Sequence, residues 1–195
     1  MPESEVSQPQ TPESVFHPWI FWLGLLWGFA EATLFFIVPD VLLTLIALFS
    51  FRQSARVLAC ILIGALGGGI VMFCYGEKDP PQAKALVLQV PFVSPAMFVK
   101  TQQGFERDGI WTLVRSPGNG IPYKIYCVQA SRYSRWPLFL LVCAVARMER
   151  FAPFWLLASS LGLAFRTRIR RRPMVPTAAH VCLWILGYAW YWSAI

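Results

Sequence analysis

The sequence predicts an all-α membrane protein, a multi-span helical bundle with two re-entrant, broken-helix loops near residues 30–50 and 110–131. Three observations predict it. Of the 195 residues, 56% are hydrophobic and 14% charged, and the mean hydropathy is +0.51. A soluble domain carries roughly 45–50% apolar and about 25% charged residues, so the polar surface that would coat a water-soluble globule is missing. Apolar stretches long enough for a span of roughly 20 residues recur along the chain. Two of them are broken by proline, glycine or charge, and broken backbone at membrane depth is tolerated only where protein or a wet cavity satisfies it. The 9 Trp and 15 Phe suit a lipid-facing or interfacial surface.

Residues 1–17 read as a polar, acidic, proline-rich tail without the basic region that opens a cleavable signal. Residues 18–51 are too long for one span and carry two charges, Glu31 and Asp40. Pro39 predicts a break there, with a first helix to about residue 37 and a second to about Ser50. Arg52 and Arg56 close this region, and the uncharged run 57–75 follows as a span. Its Gly64, Gly67, Gly68 and Gly69 offer a surface for close helix approach. Residues 76–109 mix four basic with four acidic residues and read as a connector holding an amphipathic helix near 96–108.

Residues 110–131 are interrupted by Arg115, Pro117, Gly118, Gly120, Pro122 and Lys124, which predicts two short half-helices around a turn. Residues 136–165 are apolar except for Arg147-Met-Glu149-Arg150, and 174–195 form a last span rich in aromatics. Between them, the basic run 166–172 marks a cytoplasmic loop beside anionic headgroups. That places the end of the last helix outside.

The informative charges are those inside apolar stretches, since one at the bilayer centre costs at least about 2.5–3.5 kcal/mol. Glu31, Asp40, Arg115, Lys124, Arg147 and Arg150 all stand in such places. Two readings compete. The charges pair off and lock the bundle, or they line a wet cavity where arginines bind a phosphate and a carboxylate carries protons. Arg147 and Arg150 are three apart and share one helix face.

The net charge of +7 is concentrated in the run 166–172, which argues against nucleic acid. Cys60, Cys74, Cys127, Cys143 and Cys182 form no CxxC pair, and His17 and His180 lie far from other ligands, so neither a metal nor a cofactor is indicated. The sequence also lacks a nucleophile elbow, a P-loop and an HxxxxD pair, and an enzyme is not expected.

The stretch Ala30-Glu31-Ala32-Thr33-Leu34-Phe35-Phe36-Ile37-Val38-Pro39-Asp40-Val41-Leu42-Leu43 resembles the first re-entrant motif of the DedA family, also called the VTT or SNARE-associated Golgi protein family. Gly64-Ala-Leu-Gly-Gly68-Gly69 with Tyr75-Gly76 is similar to its glycine-rich helix. Arg115-Ser-Pro117-Gly118-Asn-Gly-Ile-Pro122-Tyr123-Lys124 is similar to its second re-entrant motif, and Arg147-Met-Glu-Arg150-Phe151 to its Gly-Arg-x-x-Arg-Phe element. The resemblance covers residues 18–165. Phe36 and Val38 replace family prolines, Met72-Phe73 replaces Gly-Tyr, Ala146 and Ser131 replace glycines, and Gly120 replaces a proline.

The resemblance implies two re-entrant loops facing each other, with turns at Pro39, Pro117, Gly118 and Pro122. It implies a flippase or scramblase that moves a polyprenyl-phosphate carrier or a phospholipid between leaflets, with proton coupling, in a bacterial inner membrane. Arg115, Lys124, Arg147 and Arg150 would bind phosphate, and Glu31 and Asp40 would carry protons. The implied partners are membrane lipids and protons, and a homo-oligomer stays open. The alternatives are a proton-coupled exporter of small solutes and a non-transporting assembly or homeostasis factor.

Overall fold

A computed structural model of the chain describes residues 17–116 and 118–193. Most of the expected polar tail and Pro117 therefore lie outside the described residues. The fold is all-α, with no strand among the described residues.

The first expected break is real, and wider than proline alone dictates. Helix α1, Trp19–Thr33, stops six residues short of Pro39 instead of reaching residue 37, and α2, Asp40–Phe49, begins just after that proline. The Thr33 hydroxyl bonds back to the Phe29 and Ala30 carbonyls, at 3.1 and 3.0 Å, and competes with helix continuation. The carbonyls freed in the break find distant donors. The Trp27 indole donates to Ile37 O at 2.9 Å, and the Lys124 ammonium to Phe35 O at 2.8 Å.

Helix α3, Phe51–Lys78, is longer than the expected 57–75. The Ser50 side chain caps it by accepting from Gln53 N at 3.3 Å, so Arg52 and Arg56 lie within its first turns and no loop separates it from α2. An 18-residue stretch of α3 has mean hydropathy 2.5. Among the described residues it is the one helix long and apolar enough to cross a membrane.

The connector is more helical than its composition suggested. Pro80 and Pro81 open α4, Pro80–Val87, whose start is capped by the Asp79 carboxylate accepting from Gln82 N at 3.1 Å. The amphipathic helix is α5, Pro95–Asp108, and it ends at Gly109, where φ is +58° and a side chain would be strained. A short 3-10 helix, Gly109–Leu113, and α6, Tyr123–Ala130, flank the second break.

Helix α7, Trp136–Ala164, runs unbroken through Arg147 and Arg150 and accommodates Pro153. The basic segment expected as a loop is instead a short helix, α8, Arg166–Arg171, because no breaker separates its residues. Helix α9, Met174–Ser193, packs against α2.

Glycines set the closest approach. A β-carbon on Gly28 or Gly64 would collide with the carbonyls of Ile61 and Leu25, so α1 and α3 touch backbone to backbone. Contacts advance together along both helices, from Gly24 against Val57 to Gly68 against Ala32, which makes α1 and α3 parallel. The same argument makes α6 parallel to α3, through Tyr123 beside Gly69 and Val128 beside Gly76.

Two apolar cores result. One gathers α3, α4, α5 and α6 with Phe139, Val142 and Cys143 of α7. The other gathers α2 and the first half of α3 with Phe151 of α7. Arg147 sits between them on α7.

Candidate functional site

The fold brings both breaks to the middle of α7. The C-terminal end of α1 supplies Glu31, the first turn of α2 supplies Asp40, and the first turn of α6 supplies Tyr123 and Lys124. One face of α7 meets them with Arg147 and Arg150.

Arg147 Nη2 donates to Glu31 Oε2 in a closely held ion pair, 116 positions apart in sequence. The Arg147 guanidinium lies 3.7 Å from the Tyr123 ring centre and 5.4 Å from that of Phe151. Aromatic faces thus hold a cation that the apolar cores could not solvate. Arg150 Nε stands 3.5 Å from Asp40 Oδ2, a looser pairing than a good hydrogen bond, and its side chain keeps 32% of its surface exposed. Lys124 is buried, and its ammonium is spent on the Phe35 carbonyl across the gap between the breaks.

Two polar atoms in this cluster are buried without a protein partner, Arg147 Nε and Asp40 Oδ1. A small cavity lies beside Arg147, lined by Ser116, Ile121, Tyr123, Ala146, Arg147 and Arg150. Its volume is about 10 Å³, room for about one water. No phosphate group fits there without an opening motion.

Five of the six charges picked out in the sequence therefore converge. The sixth, Arg115, does not. Its guanidinium pairs with Asp108 at 2.6 Å on the outer side of the second break, where Arg107 also binds that carboxylate at 2.9 Å. Hydrogen bonds from Arg107, then from Arg115, hold the Asp108 carboxyl below its ordinary range. Pro39 and Pro122 stand immediately before α2 and α6, as N-terminal caps. Gly118 and Gly120 take positive φ, +88° and +75°, in the second turn.

Four further side chains stand near the cluster. Tyr123 was available inside the Pro-Tyr-Lys motif. Thr44, His180 and Tyr188 form a polar seam between α2 and α9, visible only as a four-residue spacing of His180, Trp184 and Tyr188 in the last apolar stretch.

The chain is 25% identical over 171 residues to an uncharacterized protein of Haemophilus influenzae, covering 87% of each. No known family profile and no solved structure match it. The relative is of similar length, so the likeness extends over the helices that build the cluster.

Proposed function

We propose that the chain is a multi-pass membrane protein of the DedA type. It binds the phosphate of a lipid, a polyprenyl-phosphate carrier or a phospholipid, between its two broken segments and moves it between leaflets. The observation that carries this reading is the charge balance of the cluster, in which Arg147 and Arg150 line the cavity, Glu31 and Asp40 pair with them, and Lys124 is buried close by. Three bases against two carboxylates leave one positive charge in excess. Arginine meets a phosphate through a fork of hydrogen bonds.

Further features support membrane residence. Large apolar side chains are exposed along several helices, among them Trp22, Leu26, Ile63, Leu141, Leu157 and Leu183. Helices α1 and α2, of 15 and 10 residues, are about 22 and 15 Å long. Each is shorter than the roughly 30 Å of a hydrocarbon core. A hairpin of two short helices enters and leaves by one face, and its broken backbone is served by Trp27 and Lys124 rather than by lipid. The basic helix α8 suits a cytoplasmic, anionic surface.

In the closed cluster the carboxylates occupy the arginines. An incoming phosphate takes their place as the segments part, and Glu31 and Asp40, released from their partners, are the groups that accept coupling protons. The test is lipid movement in proteoliposomes, with fluorescent phospholipid or polyprenyl phosphate and an impermeant reductant. Quenching beyond the outer-leaflet fraction is expected, and its loss in Arg150→Gln, whose half-open position tolerates substitution. Well-folded protein that gives no excess quenching with either lipid refutes the reading.

The stacking of Arg147 between Tyr123 and Phe151 favours a second reading, in which the cluster only locks the helices together. Under it, folded Arg150→Gln protein keeps its full cellular function.

A further inference from the structure

Helix α9 lies outside the region that carries the family resemblance, yet it grips the turn that presents Asp40. His180, Trp184 and Tyr188 recur at four-residue spacing and so share one helix face. The Tyr188 hydroxyl accepts the Val38 N–H at 2.9 Å. This is the last N–H before α2, because Pro39 has none.

One turn further on, the Thr44 hydroxyl donates to the Asp40 carbonyl at 2.6 Å. A hydroxyl has one proton, so the 2.9 Å contact between Thr44 Oγ1 and His180 Nε2 runs the other way, with Nε2–H donating. The Trp184 indole nitrogen stands 3.1 Å from the same Nε2 and 3.4 Å from Thr44 Oγ1, and with Nε2 protonated its N–H is left to the threonine oxygen. His180 Nδ1 is left buried without a partner.

Asp40 is thus bracketed by two tethers, one two residues before it and one four residues after. Its carboxylate is buried and reaches Arg150 only at 3.5 Å. A loose pairing of this kind depends on how the backbone beneath it is held.

We infer that Tyr188 and His180 are positioning residues of the anion site. Acting from α9, they fix the Val38-Pro39-Asp40 turn so that Asp40 faces Arg150, which lines the cavity. The inference rests on the anion-binding reading above.

Tyr188→Phe deletes the acceptor and keeps the ring. In detergent, amide exchange over residues 34–41 should quicken about fivefold, the worth of one hydrogen bond. Exchange in α3 and α5 should stay unchanged. Affinity for a soluble short-chain phosphatidic acid, read by calorimetry, should rise about fivefold, because a loosened Asp40 competes less well with the phosphate for Arg150, while the melting temperature falls by only about 2–4 °C, the worth of one hydrogen bond. His180→Gln keeps a donor where Nε2–H stands and should keep the wild-type affinity, whereas His180→Leu should raise it. Leu186→Ala, at a site 69% exposed, should change neither readout.

Faster exchange with unchanged affinity overturns the positioning role and leaves the anion site standing. Unchanged exchange overturns it as well, and so does equal affinity in His180→Gln and His180→Leu. Wild-type protein that binds no phosphatidic acid overturns both this inference and the anion-binding reading.

Discussion

Glu31→Gln removes one charge from the most enclosed ion pair and barely alters its shape. The two side chains keep only 7% and 3% of their surface exposed, Glu31 and Arg147 respectively. Breaking a buried pair by removing one partner costs about 3–5 kcal/mol, because the remaining charge is left uncompensated. The contact of Arg147 with Tyr123 persists in both proteins and cancels in the comparison. At about 2–4 °C per kcal/mol for a chain of this size, Glu31→Gln should lower the melting temperature in detergent by about 6–20 °C. Arg147→Gln should do the same, since it leaves a buried carboxylate. The double variant Glu31→Gln/Arg147→Gln holds two neutral groups that still hydrogen-bond, and it should melt no lower than either single variant. That is a coupling of about 3 kcal/mol in a double-mutant cycle. Losses that simply add in the double variant refute the reasoning, since the residues would then not be partners in the folded protein. The double variant also separates stability from function: folded and without the Arg147 charge, it should have lost lipid movement.

Two further predictions follow from close contacts and charge. Gly64→Ala drives a β-carbon into the Leu25 carbonyl and should cost about 1–3 kcal/mol in a detergent melt. Gly67→Ala meets only the Phe29 ring, at 3.8 Å, and should be neutral; equal losses at both positions would contradict the α1–α3 contact. Hydrogen bonds from Arg107 and Arg115 lower the Asp108 carboxyl, so this pairing is present above the ordinary carboxylate value of about 3.9 and is lost as pH falls through the lower folded value. Protection of the turn 114–122 against limited proteolysis by an acid-active protease should therefore hold at pH 5 and weaken below about pH 4. Unchanged protection at pH 3 would show that Asp108 does not hold the turn.

Much of the local architecture is legible in the residues themselves. Pro39 announces a helix start, and the Arg115–Lys124 interruptions announce a pair of short helices. The amphipathic pattern near 96–108 matches α5 to within a residue. These are signals carried by neighbours in sequence. Boundaries were less legible where capping decides them. Ser50 starts α3 at Phe51, and Thr33 helps to end α1 well before the proline that the composition makes conspicuous.

The sequence by itself determines that the chain is helical, that it is too apolar and too poorly charged for an ordinary soluble surface, and that six charges stand in apolar surroundings. Composition and spacing suffice for that, because hydrophobic burial and helix propensity act over a few residues. Only the tertiary structure decides who pairs with whom. Glu31 meets Arg147 across 116 positions because backbone contacts at Gly28 and Gly64 bring α1 against α3, while α7 supplies the arginine from between the two cores. Arg115 carries the same charge, yet it stays outside, because the chain turns at Gly109 and leaves it beside Asp108. A buried charge takes whichever partner the packed backbone brings within a few ångströms, and that distance is not written in any local stretch of sequence.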